Sequence, residues 1–458
     1  MHARRLALLA LLAVLEAAPA GAAPVRLPPH TRTTLKNGLT VLVMPTQRLP
    51  LVDFRLVARA GAVNDPTGKE GLASLTADLL TQGAAGRNAQ QIAEDIAFVG
   101  GTLGASAGAE QIVVSCEVLR KDFDTGLELF RDVIVSPTFP AAEFDRKRDE
   151  ALGAIASERD DPGTVANNAL LPFVFGASPL AHPALGWESA VKSLVREDVV
   201  AFHRERLTPD NCVLAVVGDV DEKRAIDALQ KAFAAWKKSD RPAGNAYGPV
   251  PRAGTRMVEI VSKPEVTQTQ IRLACSGVPR NHPDFFPITV ANTILGAGFT
   301  SRLVNEIRVN QGLTYSISSR FTMFRNAGIF GISTFTKNET LRKTIDETIG
   351  VVKRLLEDGP SVEELDKARR YLTGLFPLRL QAPDALAAQL LDIEFYGLDP
   401  RFVETYADEI NAVTMADCRR ALKSYFCTDQ LQILVVSDPE TAKAALAGLG
   451  EIEVRPIP

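Results

Sequence analysis

Two side chains in the second half of the chain are of types that can bind and polarise a carbonyl group. Arg308 and Tyr315 lie seven residues apart in the segment Arg-Val-Asn-Gln-Gly-Leu-Thr-Tyr. A guanidinium supplies several fixed donors to a carbonyl oxygen, and a phenol can donate to a developing oxyanion. Residue type alone favours a surface arginine and a core tyrosine, so the surroundings must decide whether the pair is functional.

Other hydrolytic chemistry has little support in the sequence. None of the five histidines lies three to five residues from another, which argues against a helical pair of metal ligands. They are His2, His30, His182, His203 and His282. We expect surface or satisfied core positions for them, no G-x-S-x-G nucleophile elbow, and no cysteine with a histidine partner nearby in sequence.

The composition is that of a globular protein of two or three domains. The chain has 458 residues, and 46% of them are hydrophobic, which is enough for sizeable cores. The formal net charge is -4 and there is no polybasic run. This argues against nucleic acid or an anionic membrane surface as the partner, so peptide-like or neutral partners fit better.

Residues 1–22 have the pattern of a secretory signal peptide. Two arginines precede an apolar run over residues 6–15, and small residues that suit cleavage follow at 18–20 and 20–22. The apolar run is too short to span a bilayer. Cleavage would give a periplasmic or secreted chain without a membrane span, and a retained N-terminal anchor is the alternative.

The five cysteines are expected to be mostly buried thiols, because a chain of this size has core enough without disulfides. They are Cys116, Cys212, Cys275, Cys418 and Cys427. Cys418 and Cys427 are close in sequence, so they are the alternative pair for a disulfide in an oxidising compartment.

An internal repeat of roughly 220 residues indicates two homologous domains. Residues 143–148 match residues 364–369 at a shift of 221, and residues 210–219 match residues 429–438 at a shift of 219. Asp198 and Asp417, each near a helix start, keep the shift of 219. Chance similarity of amphipathic helices is the alternative, but three agreements at nearly one spacing favour duplication.

The repeat and a composition break place the domain boundaries. Residues 241–254 are rich in proline and glycine and lack a hydrophobic period, which is typical of a linker. We therefore predict an N-terminal domain over 28–240 and a C-terminal domain over 255–458.

Within each half the pattern mixes strands and helices. A hairpin is predicted over 33–44 with its turn at Asn37-Gly38, and a second strand over 51–58. Helices are predicted over 68–80 and 88–99, a strand over 112–118, and helices over 123–133 and 141–157. Strands in clusters with helices grouped between them indicate an α+β fold with an antiparallel sheet and packed helices in each domain.

Four segments together resemble the pitrilysin/insulinase-type peptidases, the inverted zincins, and especially their mitochondrial-processing-peptidase-like members. The segments are Leu35-Lys36-Asn37-Gly38-Leu39, Gly71-Leu72-Ala73, residues 295–303 and Gln311-Gly312-Leu313-Thr314-Tyr315-Ser316. The resemblance covers nearly the whole chain after residue 22. It implies two such chains that close like a clamshell around a chamber.

The resemblance also implies a metal site, which this chain has lost. Active relatives carry H-x-x-E-H, whose two histidines one turn apart bind zinc while the glutamate activates water. The corresponding residues here are Ser74, Ala77 and Asp78, and a third ligand, a glutamate on a later helix, corresponds to Ala154. We therefore expect no zinc in this chain and zinc in a partner subunit.

In the same family the arginine and tyrosine are implied to bind the substrate backbone and stabilise the tetrahedral intermediate. The resemblance therefore implies this role for Arg308 and Tyr315. Gly296 and Gly298 resemble a shortened glycine-rich substrate loop, with a helix cap and turn as the alternative.

Three functional hypotheses follow. The first is a non-catalytic, substrate-positioning subunit of a heterodimeric periplasmic zinc metallopeptidase, inactive alone and active with an H-x-x-E-H partner. The second is a degenerate scaffold or peptide-binding protein without a catalytic role. The third is an autonomous hydrolase with an unrecognised site. The substrate, the identity of the partner and any homodimer are left open by the sequence.

Overall fold

The computed structural model describes residues 26–239, 247–250 and 254–458. The expected signal peptide at 1–22 lies outside the described residues, as does most of the expected linker at 241–254. No helix in the described ranges is both long and apolar enough to cross a bilayer.

The first half forms a six-stranded sheet, here called sheet 1, with a short hairpin of β4 (Gly83–Ala84) and β5 (Arg87–Asn88) beside it. Sheet 1 has the order β1-β2-β8-β3-β7-β6. The predicted turn at Asn37-Gly38 joins β1 to β2, and Gly38 has a φ of 92°, which favours glycine. The strands of sheet 1 are β1 (Thr31–Thr34), β2 (Thr40–Pro45), β3 (Leu51–Ala58), β6 (Thr102–Ala107), β7 (Ile112–Leu119) and β8 (Cys212–Gly218).

The second half forms sheet 2, whose order β14-β9-β13-β10-β12-β11 repeats that of sheet 1. The edge beside β9 is filled by the last strand of the chain, whereas the matching edge of sheet 1 is filled by its first strand. The two sheets confirm two homologous α+β domains. The strands of sheet 2 are β9 (Met257–Ser262), β10 (Gln268–Ser276), β11 (Ile317–Met323), β12 (Gly328–Lys337), β13 (Gln432–Ser437) and β14 (Glu451–Arg455).

Both sheets are mainly antiparallel but contain parallel pairs that the sequence did not predict. In sheet 1, β2 runs parallel to β8. In sheet 2, β9 runs parallel to both β13 and β14. The parallel pairs arise because β8 and β13 return to the centre of their sheets after a long helical excursion, and such a crossover can join parallel strands.

Helices pack on both sheets. Those of the first half are α1 (Leu72–Leu79), α2 (Ala89–Phe98), α3 (Phe123–Val135), α4 (Ala141–Asp160), α5 (Pro162–Phe175), α6 (Glu188–Ser193), α7 (Arg196–Arg206) and α8 (Glu222–Ala232). Those of the second half are α9 (Phe285–Asn292), α10 (Leu341–Asp358), α11 (Val362–Leu375), α12 (Pro383–Tyr396), α13 (Phe402–Ala412), α14 (Met415–Tyr425) and α15 (Pro439–Leu446).

The two halves exchange one helix each. Helix α5 belongs to the first half but packs on β10 and β13 of sheet 2, and α12 belongs to the second half but packs on β3 and β8 of sheet 1. Arg272 on β10 donates to Asn167 Oδ1 at 2.9 Å and to the Gly163 carbonyl at 3.0 Å, both on α5. Reciprocally, Arg32 on β1 pairs with Glu394 on α12 at 2.7 Å. Each half therefore completes the core of the other.

A buried carboxylate adds a polar link between the halves. Glu110 accepts a hydrogen bond from the Tyr247 hydroxyl, and its two carboxylate oxygens share the backbone N–H of Arg325, at 3.1 and 3.0 Å. Burial raises the pKa of Glu110, and these donors oppose that rise.

The cysteine prediction is wrong for two of the five residues. Cys275 and Cys427 form a buried disulfide, with their Cα atoms 6.5 Å apart, while Cys116, Cys212 and Cys418 are buried free thiols. The suggested Cys418–Cys427 pair does not form. Cys418 lies inside α14 and packs in the core, whereas Cys427 follows that helix and reaches the end of β10.

Candidate functional site

The expected metal-binding helix exists, but its ligands are absent. Helix α1 begins after Gly71, whose φ of 104° ends the preceding loop, so it is shorter than the predicted range of 68–80. Asp65 caps this helix, because its carboxylate accepts from the N–H of Gly71 at 2.7 Å and of Ala73 at 2.8 Å. Burial raises the pKa of Asp65 to about 7, against the effect of these bonds. No sequence pattern noted above predicted this cap.

The four positions aligned with the zinc site do not suit zinc. Ala77 is buried in the core, Ser74 and Asp78 are half-buried, and Ala154 lies exposed on α4. Burial raises the pKa of the Asp78 carboxyl, and nearby Lys147 on α4 opposes that rise. Zinc in proteins needs three or four N, S or O ligands, and this set offers one carboxylate and one hydroxyl.

Elsewhere in the described part of the chain, no group of three His, Cys, Asp or Glu side chains is placed to hold a metal ion. His203 lies on α7, where its Nε2 lies 2.8 Å from the Ile134 carbonyl, and burial lowers its pKa. His182 contacts the carbonyl of Pro183. Both are accounted for by local packing, as expected.

A G-x-S-x-G string does occur, at residues 104–108, but not in the form of a nucleophile elbow. Ser106 lies within β6, an edge strand that turns directly into β7. A nucleophile elbow instead places its serine in a sharp turn between a strand and a helix. The string therefore does not support the autonomous-hydrolase hypothesis.

Arg308 and Tyr315 lie together at the surface. The guanidinium carbon of Arg308 is 5.2 Å from the centroid of the Tyr315 ring and 5.4 Å from that of the Phe299 ring. Tyr315 is 77% exposed and Phe299 is 76% exposed. Arg308 is thus a half-buried cation that lies close to two exposed aromatic rings. Tyr315 is not a core residue.

The backbone around the pair is held firmly. Arg308 lies in a π-helical turn over Val304–Asn310, which Ile307 and Leu313 anchor in the core. Glu306 accepts from the side chains of Asn310 at 3.0 Å and Gln311 at 3.2 Å. Arg308 and Tyr315 therefore project from an anchored segment of backbone.

Of the two glycines, only Gly298 reaches a surface cavity. A side chain at Gly296 would meet the Ser319 backbone N at 2.7 Å, so glycine there is required by close packing on β11. Gly298 lines a cavity of about 430 Å³ together with Phe299, Glu364 and Tyr371. Phe299 was not singled out from the sequence, although an aromatic residue directly after the glycine loop was a usable signal.

Comparisons with known proteins agree with this geometry. Residues 41–186 match the model of the insulinase family, peptidase family M16, and residues 193–372 match the model of the peptidase M16 inactive domain. An uncharacterised zinc protease of Streptomyces coelicolor is 27% identical over 85% of each chain. One of Mycobacterium tuberculosis is 27% identical over 84% of this chain and 88% of its own.

Solved structures give the same fold. The crystal structure of a peptidase M16 inactive domain from Pseudomonas fluorescens has a TM-score of 0.84 and 28% identity, covering 89% of this chain and 98% of that one. A protease structure from Helicobacter pylori shares the fold, with a TM-score of 0.83 and 21% identity. The match covers 90% of this chain and 100% of that one. The chain belongs to the insulinase, or M16, peptidase family.

Proposed function

We propose that this chain is the non-catalytic, substrate-positioning subunit of a heterodimeric zinc metallopeptidase. The partner subunit carries H-x-x-E-H and the zinc ion. This chain supplies Arg308 and Tyr315 across a shared chamber. The guanidinium binds the peptide backbone and the phenol donates to the oxyanion that forms when water attacks the scissile carbonyl.

The observation that carries this proposal is an asymmetry between the two halves of the chain. Ala77 and Ala154 stand where water activation and metal binding need carboxylates. Tyr315, by contrast, is exposed, and the half-buried Arg308 lies close to its ring. Fixed donors contribute to catalysis by positioning even when another chain performs the acid-base and metal chemistry.

Two features support a periplasmic location. Residues 1–22 have the secretory pattern, and Cys275 and Cys427 form a disulfide, which persists in oxidising compartments.

The scaffold hypothesis also has an observation in its favour. Phe299, Val309 and Tyr315 are all exposed, at 76%, 67% and 77%, and they adjoin one another around Arg308 in space or sequence. Exposed apolar groups of this kind often mark a protein interface. On this second hypothesis the stack contacts a partner subunit and takes no part in the reaction.

Co-expression with a homologous chain that carries H-x-x-E-H tests the proposal. Size-exclusion chromatography then measures assembly, and cleavage of a quenched fluorescent peptide measures activity. We expect a 1:1 complex that cleaves the peptide, and no cleavage by this chain alone. An active partner whose rate is unchanged by adding this chain would contradict the proposal.

A further inference from the structure

The C-terminal domain contains a cavity of about 700 Å³ between α9, α11, α12 and β11. This volume lies in the range of small-molecule binding sites. Neither Arg308 nor Tyr315 lines it. It is therefore distinct from the surface stack.

The internal repeat relates the elements around this cavity to elements of the first domain. In the first half, α1 contacts α4, α7 and β6; in the second half, α9 contacts α11, α14 and β11. Edge strand β6 of sheet 1 corresponds to edge strand β11 of sheet 2. The cavity thus lies between elements of the second domain that correspond to α1, α4 and β6 of the first.

Two residues that line the cavity each carry a buried side-chain N–H donor. Arg280 Nη1 and Gln389 Nε2 are buried without a hydrogen-bond partner within the described residues. The Arg280 guanidinium lies 4.3 Å from the Phe285 ring and 5.0 Å from the Phe402 ring, which fix its plane. Buried donors are normally paired, so these two lining residues have donors to offer to an acceptor.

The charged residues of the lining indicate which kind of acceptor would bind. They are three arginines, Arg280, Arg320 and Arg379, and one carboxyl group, Asp392. Burial raises the pKa of Asp392, and its attraction to Arg280 opposes that rise. The lining is therefore positively charged in a chain whose formal net charge is -4. An anionic ligand fits such a lining.

The uncharged side chains of the lining indicate what the rest of the ligand is. Aromatic rings line much of the cavity, namely Phe285, Phe321, Tyr371, Phe376, Phe402 and Tyr406. We propose that this cavity binds the free carboxylate of a ligand with an aromatic or apolar side chain, of the kind presented by the C-terminus of a cleaved peptide. The carboxylate accepts from Arg280 and Gln389, and the side chain lies among the rings.

This proposal is tested on the purified chain without any partner, so it succeeds or fails independently of the proposed function. Isothermal titration calorimetry compares the tripeptide Ala-Ala-Phe with Ala-Ala-Phe-amide. We expect the free acid to bind roughly ten- to a hundredfold more tightly, the scale of losing a hydrogen bond to a charged group. Equal binding of the two peptides, or no binding of the free acid, would overturn the proposal.

Three variants locate the site. Arg280→Gln should weaken binding of the free acid by a similar factor. Arg320→Gln, on the edge strand β11, removes a second positive charge without removing a buried contact. Ala388→Phe should block the cavity. Arg120→Gln, an exposed arginine paired with Asp219 in the other domain, is the matched control and should bind normally. Unchanged binding in folded Arg280→Gln and Arg320→Gln would place the ligand elsewhere and refute the assignment.

A further arm distinguishes the source of the carboxylate. N-acetylphenylalanine has the same acid and ring but only one residue. Tighter binding of the tripeptide supports a peptide terminus, and equal binding supports a small aromatic acid. Both results keep the carboxylate site.

Discussion

The guanidinium carbon of Arg308 lies 5.2 Å from the centroid of the Tyr315 ring, so the two residues form one unit. The ring orients the arginine, while the hydroxyl extends from an exposed side chain. Replacing Tyr315 by phenylalanine removes the hydroxyl and leaves the ring in place. Replacing it by alanine removes both. These two changes separate the chemistry of the phenol from the orientation of the arginine.

The purified chain should contain no stoichiometric zinc, because the aligned positions hold Ser74, Ala77, Asp78 and Ala154. Elemental analysis after extensive dialysis measures this directly. The matched control restores the three ligands and the water-activating glutamate, as histidine at 74, glutamate at 77, histidine at 78 and glutamate at 154. It should bind zinc weakly, because the surrounding groups that orient metal ligands are absent. One tightly held zinc per unmodified chain would refute the assignment.

Cleavage of the chain between its domains should leave the halves associated. A protease site inserted within residues 241–246 would cut the connection, but α5 and α12 would still complete the opposite sheets. We expect one peak at the size of the intact chain by size-exclusion chromatography and two bands by denaturing electrophoresis. Leu390→Ala, which truncates a buried α12 side chain in the shared core, should destabilise by about 2–5 kcal/mol and weaken the association. Separation of the unmodified halves in buffer would show that the exchanged helices do not hold them.

The disulfide should stabilise the C-terminal domain. Cys275 and Cys427 are 152 residues apart, so the bridge closes a long loop and restricts the unfolded chain. Cys427→Ser should lower the free energy of unfolding by about 2–5 kcal/mol. Cys418→Ser is the control, because Cys418 has no disulfide partner. Thermal unfolding with and without reductant measures the difference. If reductant still destabilises Cys427→Ser, its effect does not come from the Cys275–Cys427 disulfide.

The cap at Asp65 should make stability depend on pH. Its pKa is about 7 in the folded chain, above the ordinary value of 3.8, so the folded state holds the proton more tightly than the unfolded state. Its contribution is full below pH 3.8 and is lost as the pH rises through 7. Between pH 5 and pH 7 the loss in the free energy of unfolding amounts to about 2–3 kcal/mol.

Asp65→Asn is neutral throughout that range and keeps one acceptor for the helix cap. The melting temperature of the unmodified chain, relative to that of Asp65→Asn, should therefore fall from pH 5 to pH 8. A difference between the two that stays constant with pH would show that Asp65 does not titrate there.

Local sequence patterns predicted much of the fold, because they act through short-range rules. The strand over 51–58 and the turn at Asn37-Gly38 follow from alternation and from the tolerance of glycine for positive φ. The repeat predicted two similar sheets. The helix exchange was not predictable in this way, since α5 and α12 have the same periodicity whichever sheet they cover.

The candidate site was predicted only in part. The identities of Ser74, Ala77 and Asp78 follow from motif position, and so does the Arg308 and Tyr315 pair. Phe299 and the Cys275–Cys427 bridge depend on contacts between segments distant in sequence, which periodicity does not encode. The same holds for the unpaired donors of Arg280 and Gln389.

The most direct test of the account measures peptide cleavage by the assembled complex with Tyr315→Phe in this chain. Removing one donor to the oxyanion should lower kcat roughly ten- to a thousandfold, with a smaller change in KM. Arg308→Ala should raise KM, because backbone positioning acts in both the ground and transition states. Size-exclusion chromatography must first show normal assembly. A correctly assembled complex carrying both substitutions that cleaves peptide as fast as the unmodified complex would contradict the positioning role and favour the scaffold.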